Sequence, residues 1–253
     1  MADPASLSPS PPAWTVTATS LSAFLRGIAA TPASAAGLIL AATGVGFGAL
    51  ARDLGYSAGH VLFICAFVFA LPAQVLVIDE LARGAGIAAT AVAVGLSAVR
   101  LLPMTVSLMP LIRDEKLPRW LHLYAVHFIA ITAWLEGSRL LPPLPARVRL
   151  PYFAGLGSGF MALMSAGALL GFLLSARLPP VASAALLLMT PIYFTCSLLL
   201  SARGRADYLA VLLGGVIGPV VFYLAPGFDL LAAGVIGGTL AYLSGRRQRQ
   251  RPT

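Results

Sequence analysis

The chain has 253 residues, of which 58% are hydrophobic and only 10% are charged. A soluble domain carries about 25% charged residues, and a globule of this size cannot cover its surface with so few. The composition therefore excludes an ordinary soluble enzyme and points to an integral membrane protein. The net charge of +8 comes from 17 Lys and Arg against 9 Asp and Glu. These basic residues sit in short breaks between apolar runs, where membrane topology places them. No basic stripe alternates with aromatics, which argues against nucleic-acid binding.

Residues 1–20 are rich in Ser, Pro, Ala and Thr without apolar periodicity, and read as a disordered N-terminal tail. No basic segment precedes an apolar core there, so a signal peptide is not expected. Residues 21–31 suit a short helix along the membrane interface. Apolar runs follow at about 33–51, 56–78, 86–112, 120–138, 153–175, 180–202, 207–224 and 227–244. Each is long enough to cross roughly 30 Å of hydrocarbon. The expected fold is all-α, a polytopic membrane helix bundle of about eight transmembrane helices. It has about seven if the last pair, joined only by Ala225-Pro226-Gly227-Phe228, does not form two spans. The transmembrane domain is expected over 21–244, with a basic cytoplasmic tail over 245–253.

With the N-terminus inside, Arg26, Arg83, Arg139, Arg147, Arg149, Arg203, Arg205 and the tail arginines Arg246, Arg247, Arg249 and Arg251 fall on the inner side. Arg52, Arg113, Lys116, Arg119 and Arg177 fall outside. The positive-inside rule then places both termini in the cytoplasm. GxxxG pairs occur at Gly44–Gly48, Gly155–Gly159, Gly167–Gly171, Gly214–Gly218 and Gly234–Gly238. Close backbone approach at such pairs holds a compact bundle together in lipid. Cys65 and Cys196 each lie inside an apolar run and read as small buried packing residues. No CxxC or HExxH spacing is present, and no metal or cofactor is expected. A hydrolase or an ATP-driven pump has no recognisable nucleophile set or phosphate loop here.

Three spans carry a proline near the middle: Pro72, Pro103 and Pro191. Each removes a backbone donor and frees a carbonyl, which is tolerated at membrane depth where it lines a cavity or is buried in protein. Broken helices point to a transporter binding site, although prolines also make passive kinks. Arg100 is expected near the centre of the third span, where a charge costs about 2.5–3.5 kcal/mol and needs a partner. A substrate carboxylate fits, as does a structural bond to carbonyls freed beside Pro103. Glu136, near the end of the fourth span, is the nearest acid. Gln74 beside Pro72 offers two donors and an acceptor to a substrate amine or carboxylate, or to a neighbouring helix. His127 is expected within the fourth span. It suits a proton relay, since histidine changes charge nearest physiological pH, or a plain interhelical hydrogen bond. Ser107, Thr105 and Tyr193 complete the polar groups that could line a cavity.

These residues fall in segments that resemble the AzlC family of branched-chain amino acid permeases. The stretch Gly46-Phe47-Gly48-Ala49-Leu50-Ala51 with Gly55 and Ser57 resembles the family's opening. Phe69-Ala70-Leu71-Pro72-Ala73-Gln74 resembles a phenylalanine-alanine-glycine-serine-alanine-glutamine segment. Arg100, Ser107 and Pro110 match the third span, and Met189-Thr190-Pro191 a proline-containing helix. The sequence departs from the family at Ala98, Leu101 and Leu71-Pro72, and lacks its acidic motif around Ala125–Ala130. The resemblance implies secondary export of branched-chain or other small apolar amino acids, with a small AzlD-type membrane partner, in a bacterial inner membrane. The substrate-binding set that the residues themselves suggest is Arg100, Gln74, Pro72, Pro103, Pro191 and Ser107, with Phe67, Phe69, Leu71 and Met104 as an apolar wall. The competing expectation is a non-transporting subunit that scaffolds a small partner.

Overall fold

Short polar residues start the first helices. The Ser22 N–H donates to Thr19 Oγ1 at 3.2 Å and the Thr19 N–H donates back to Ser22 Oγ at 3.0 Å. This capping box opens α1 (Ser20–Ala30). Ser34 caps α2 (Ala35–Asp53), and Ser57 with His60 forms a second box ahead of α3 (Ala58–Phe67). Gly55, at φ 86°, ends α2 by turning the chain so that the Tyr56 N–H reaches the Ala51 carbonyl. The chain continues through α4 (Leu71–Ala82), α5 (Ile87–Ala98), α6 (Leu101–Ile112), α7 (Arg119–His127), α8 (Ile131–Leu140) and α9 (Ala146–Leu174). Then come α10 (Pro180–Ser201), α11 (Arg205–Leu224), a π-helical turn (Ala233–Gly237) and α12 (Gly238–Arg249). This computed structural model describes residues 12–99, 101–201, 204–224 and 233–249, and no strand occurs among the described residues.

The chain divides into two compact units. The first takes the chain up to Gln74 together with Leu101–Leu187. Its spine is α9, against which α1, α2, α3, α6, α7 and α8 pack. Glycines set the approach. A Cβ on Gly155 would strike the Phe24 carbonyl, and one on Gly27 the Tyr152 carbonyl, so α1 lies backbone against backbone on α9. Further along, Gly167 meets the Ala41 carbonyl, Gly171 the Val45 carbonyl, and Gly48 the Ala168 carbonyl. Helices α1 and α2 thus run in the same direction as α9, one after the other. Three of the five GxxxG pairs, Gly44–Gly48, Gly155–Gly159 and Gly167–Gly171, are packed in this way. The other two are not. Among the described residues, nothing lies within 4 Å of where a Cβ would go on Gly214, Gly234 or Gly238, and only the Ala233 Cβ, at 4.0 Å, on Gly218.

Helix α1, expected along the membrane interface, packs along α9 through Gly27. Residues 12–19, expected to be part of a disordered tail, are held in place: Thr15 is buried, and the Arg147 guanidinium donates to the Thr15 and Val16 carbonyls at 2.7 and 2.8 Å. Trp14 stacks on Tyr152 with Arg26 4.8 Å from its ring centre. Residues 1–11 and 250–253 lie outside the described residues.

The second unit takes Val75–Val99 and the chain from Leu188 onward. In it, α11 packs against the π turn and α12, with Gly237 against Leu213 and Gly214. Cys196 on α10 is exposed, contrary to expectation, while Cys65 on α3 is buried; both are free thiols.

Among the described residues, three helices are long and apolar enough to cross a membrane: Ala35–Asp53, Ala146–Arg177 and Ala206–Leu224. A fourth is added if α5 and α6 count as one broken span. For three of the eight expected runs the difference has a physical source. The runs at 56–78, 86–112 and 120–138 are each split into two short helices, α3–α4, α5–α6 and α7–α8. Of the last run only residues 233–244 are described.

Candidate functional site

The first split follows from Pro72. In an unbroken helix its nitrogen would face the Val68 carbonyl, but proline has no hydrogen to donate and its ring would clash with that oxygen. The chain leaves the helix at Val68 (φ −117°, ψ 79°) and starts again at Leu71, with Pro72 in the first turn. The Ala70 N–H turns back to the Val68 carbonyl at 2.9 Å. The Gln74 Nε2 also donates to Val68, at 2.7 Å. A carbonyl only accepts, so this bond fixes which end of the Gln74 amide faces it. The other end, Oε1, is buried and has no hydrogen-bond partner, the one such side-chain atom among the described residues. Gln74 as a whole is 1% exposed. An unmet buried acceptor costs about 1–3 kcal/mol, so a group held this way calls for a donor.

A second split, between α7 and α8, repeats the pattern. The Ala130 N–H turns back to the Phe128 carbonyl at 2.8 Å, and the Trp134 N–H resumes the helix on Ala130, as the Gln74 N–H does on Ala70. The two splits touch. His127 Nε2 donates to the Ala66 carbonyl at 2.8 Å, the group that the Ala70 N–H would hold in a continuous helix. The Phe69 ring meets Phe128 edge-on with centroids 5.6 Å apart, and Tyr124 and His127 lie edge-on to Phe128 as well. The C-terminal ends of α3 and α7 and the N-terminal ends of α4 and α8 therefore come together. Partial negative and partial positive helix charge meet at one place.

Sequence reasoning took 120–138 as one helix and missed this second split, which contains no proline. One signal was present. Ala130-Ile131-Thr132-Ala133-Trp134 follows the pattern of Ala70-Leu71-Pro72-Ala73-Gln74 sixty positions later.

Of the expected site residues, Gln74, Pro72 and His127 meet at this junction. Ser107 is engaged elsewhere: its hydroxyl donates to the Met104 carbonyl at 2.9 Å and accepts from Trp134 Nε1 at 2.8 Å, tying α6 to α8. The Thr105 hydroxyl donates to the Leu101 carbonyl of its own helix. Pro103 lies in the first turn of α6, so the interruption precedes it, as at Pro72. Pro191 does not interrupt its span, because α10 runs through it from Pro180 to Ser201. One missing N–H is absorbed there without ending the helix. The Thr195 hydroxyl donates to the Pro191 carbonyl. Arg100 lies outside the described residues, as does the side chain of Tyr193. Glu136, the nearest acid in sequence terms, is buried and accepts from Arg139 at 2.9 Å. Phe69 and Leu71 are half-buried at the first split, whereas Phe67 is exposed and lies tilted against Phe63. No cluster of metal-ligating side chains occurs among the described residues.

Comparison with known proteins gives one match. The family model described as AzlC protein matches residues 35–178, more than half of the chain and all of the segment from α2 to α9. Both splits lie inside it, and Pro191 lies beyond it. No curated protein and no solved structure matches the chain.

Proposed function

The chain belongs to the AzlC family, and on that premise we propose that it is a secondary transporter that exports branched-chain or other small apolar amino acids. The family is associated with branched-chain amino acid transport, and the apolar helices belong to a multi-pass membrane protein. The observation that carries the reading is the buried, unpartnered Gln74 Oε1 at the junction of two broken helices. An ammonium group brings N–H donors, and Gln74 Oε1 is an acceptor already stripped of water. The half-helix ends beside it supply the carbonyls and dipoles that transporters use for charged groups at the bilayer midplane. Phe69 and Leu71 provide apolar surface for the side chain of the substrate.

In this reading each split pair crosses the membrane once, so that eight apolar runs make eight crossings, with both termini in the cytoplasm of a bacterial inner membrane. Arg100 keeps the role its sequence position suggests, a partner for a carboxylate. His127 is the candidate proton carrier: Nε2 holds its hydrogen for Ala66, so a proton would add at Nδ1. A small AzlD-type membrane protein is the expected partner.

The test is flux of labelled leucine, isoleucine, valine and methionine in proteoliposomes, with and without the small partner. Saturable flux that is lost in Arg100→Ala and Gln74→Leu protein supports the reading. Absence of saturable flux from folded protein in both preparations overturns it in favour of a scaffold.

A further inference from the structure

The two splits share a backbone pattern but differ in polarity. In the first, Pro72 deletes a donor from the opening turn of α4, and Gln74 adds an unpartnered acceptor. In the second, Thr132 stands where Pro72 does, so the opening turn of α8 keeps its N–H groups. Its N-cap is Ala130, which has no side chain to cap them. Residues 128–130, 132 and 133 are buried, so water does not freely replace the missing cap. The first split is therefore rich in acceptors and the second in donors, and the two are joined through His127–Ala66 and Phe69–Phe128.

We infer that the N-terminus of α8, through the N–H groups of Ile131, Thr132 and Ala133, seats the carboxylate of the substrate whose ammonium is held at Gln74 Oε1. This rests on the transporter reading and adds to it an anion subsite on the split that has no proline. An uncapped helix N-terminus offers oriented N–H donors and partial positive charge to a carboxylate. The independent sign that a ligand belongs at this junction is the Gln74 amide, folded back across the first split with one buried end unmet. The substrate class that satisfies both ends is a molecule with an ammonium and a carboxylate on neighbouring atoms. An amine alone or an acid alone satisfies one.

Two variants test this in proteoliposomes, with labelled L-leucine as substrate and L-leucinamide, which keeps the amine and lacks the carboxylate, as competitor. Thr132→Pro removes one N–H at a position where Pro72 shows that the twin turn accepts proline. Ala130→Ser supplies a small internal cap that competes with the carboxylate. Each is expected to raise the KM for leucine about tenfold or more while leaving competition by leucinamide unchanged. Unchanged leucine KM in both variants overturns the inference while leaving the transporter reading intact. A parallel loss of leucine and leucinamide recognition also overturns it, since that marks general damage. If Thr132→Pro protein does not fold, Ala130→Ser decides alone. Absence of saturable leucine flux in the unaltered protein overturns the transporter reading itself.

Discussion

His127 Nε2 lies 2.8 Å from the Ala66 carbonyl oxygen and takes the place that the Ala70 N–H would hold in an unbroken helix. One side chain from α7 thus stabilises the break between α3 and α4. Gln74 does the same for Val68 from within the broken chain itself. The break is supported by bonds that a continuous helix would have to exchange.

Removing His127 leaves the Ala66 carbonyl without that donor. His127→Ala is expected to cost about 1–3 kcal/mol, read as a lower midpoint of thermal unfolding in detergent. His127→Gln keeps a donor and removes the titrating group. It should recover most of the stability while losing leucine accumulation driven by a proton gradient. Gradient-driven accumulation that survives in His127→Gln protein would remove His127 as proton carrier and leave its structural role.

The helix glycines divide into positions on α2 and α9 that admit no methyl group and positions on α11 that do. Gly48→Ala and Gly171→Ala place a Cβ against the backbone carbonyls of Ala168 and Val45, which cannot move aside as a flexible side chain can. Each should destabilise by at least about 1–3 kcal/mol. Gly214→Ala meets nothing within 4 Å and should be neutral or stabilising by up to about 1 kcal/mol. Thermal unfolding of the three purified variants side by side checks the ordering.

The pair Ser107–Trp134 links α6 to α8 at 2.8 Å. Ser107→Ala and Trp134→Phe should therefore be coupled, with the double variant less destabilised than the sum by about 0.5–1.5 kcal/mol. A direct substrate contact at Ser107 would instead raise the leucine KM in Ser107→Ala protein while leaving it unchanged in Trp134→Phe protein.

Arg147 ties down the segment that precedes α1 through the carbonyls of Thr15 and Val16. Arg147→Ala should expose that segment to limited proteolysis several-fold faster, with cleavage ahead of Ser20. An unchanged digestion rate would mean that Trp14 on Tyr152 and Arg26 holds it alone.

Much of the fold was legible because lipid demands long apolar runs with polar ends. Ser34 and Arg52-Asp53 bracket α2 within two residues of the run read from sequence. Pro72 and Gln74 stood out as polar chemistry or lost donors inside apolar sequence, and the structure brings them to one break. The split at Phe128–Ala130 was missed. It contains no proline, and its one signal, the likeness of Ala130–Trp134 to Ala70–Gln74, shows only when segments sixty positions apart are compared. The five GxxxG pairs look alike in sequence, yet among the described residues only three bring their glycines tight against the backbone of another helix. The pattern permits close approach and does not name the partner. Pro191 misled in the other direction, because α10 absorbs one missing donor and continues.

In the proposed site the unmet Gln74 Oε1 is the acceptor for the substrate amine. The most direct measurement is saturable L-leucine flux in proteoliposomes for the unaltered protein and for Gln74→Leu, which keeps similar volume and removes the acceptor. Thermal unfolding of both preparations establishes that each is folded. Folded Gln74→Leu protein is expected to lose about tenfold or more in leucine affinity. Unaltered leucine flux in that variant would contradict it and leave Gln74 as a brace for the broken helix.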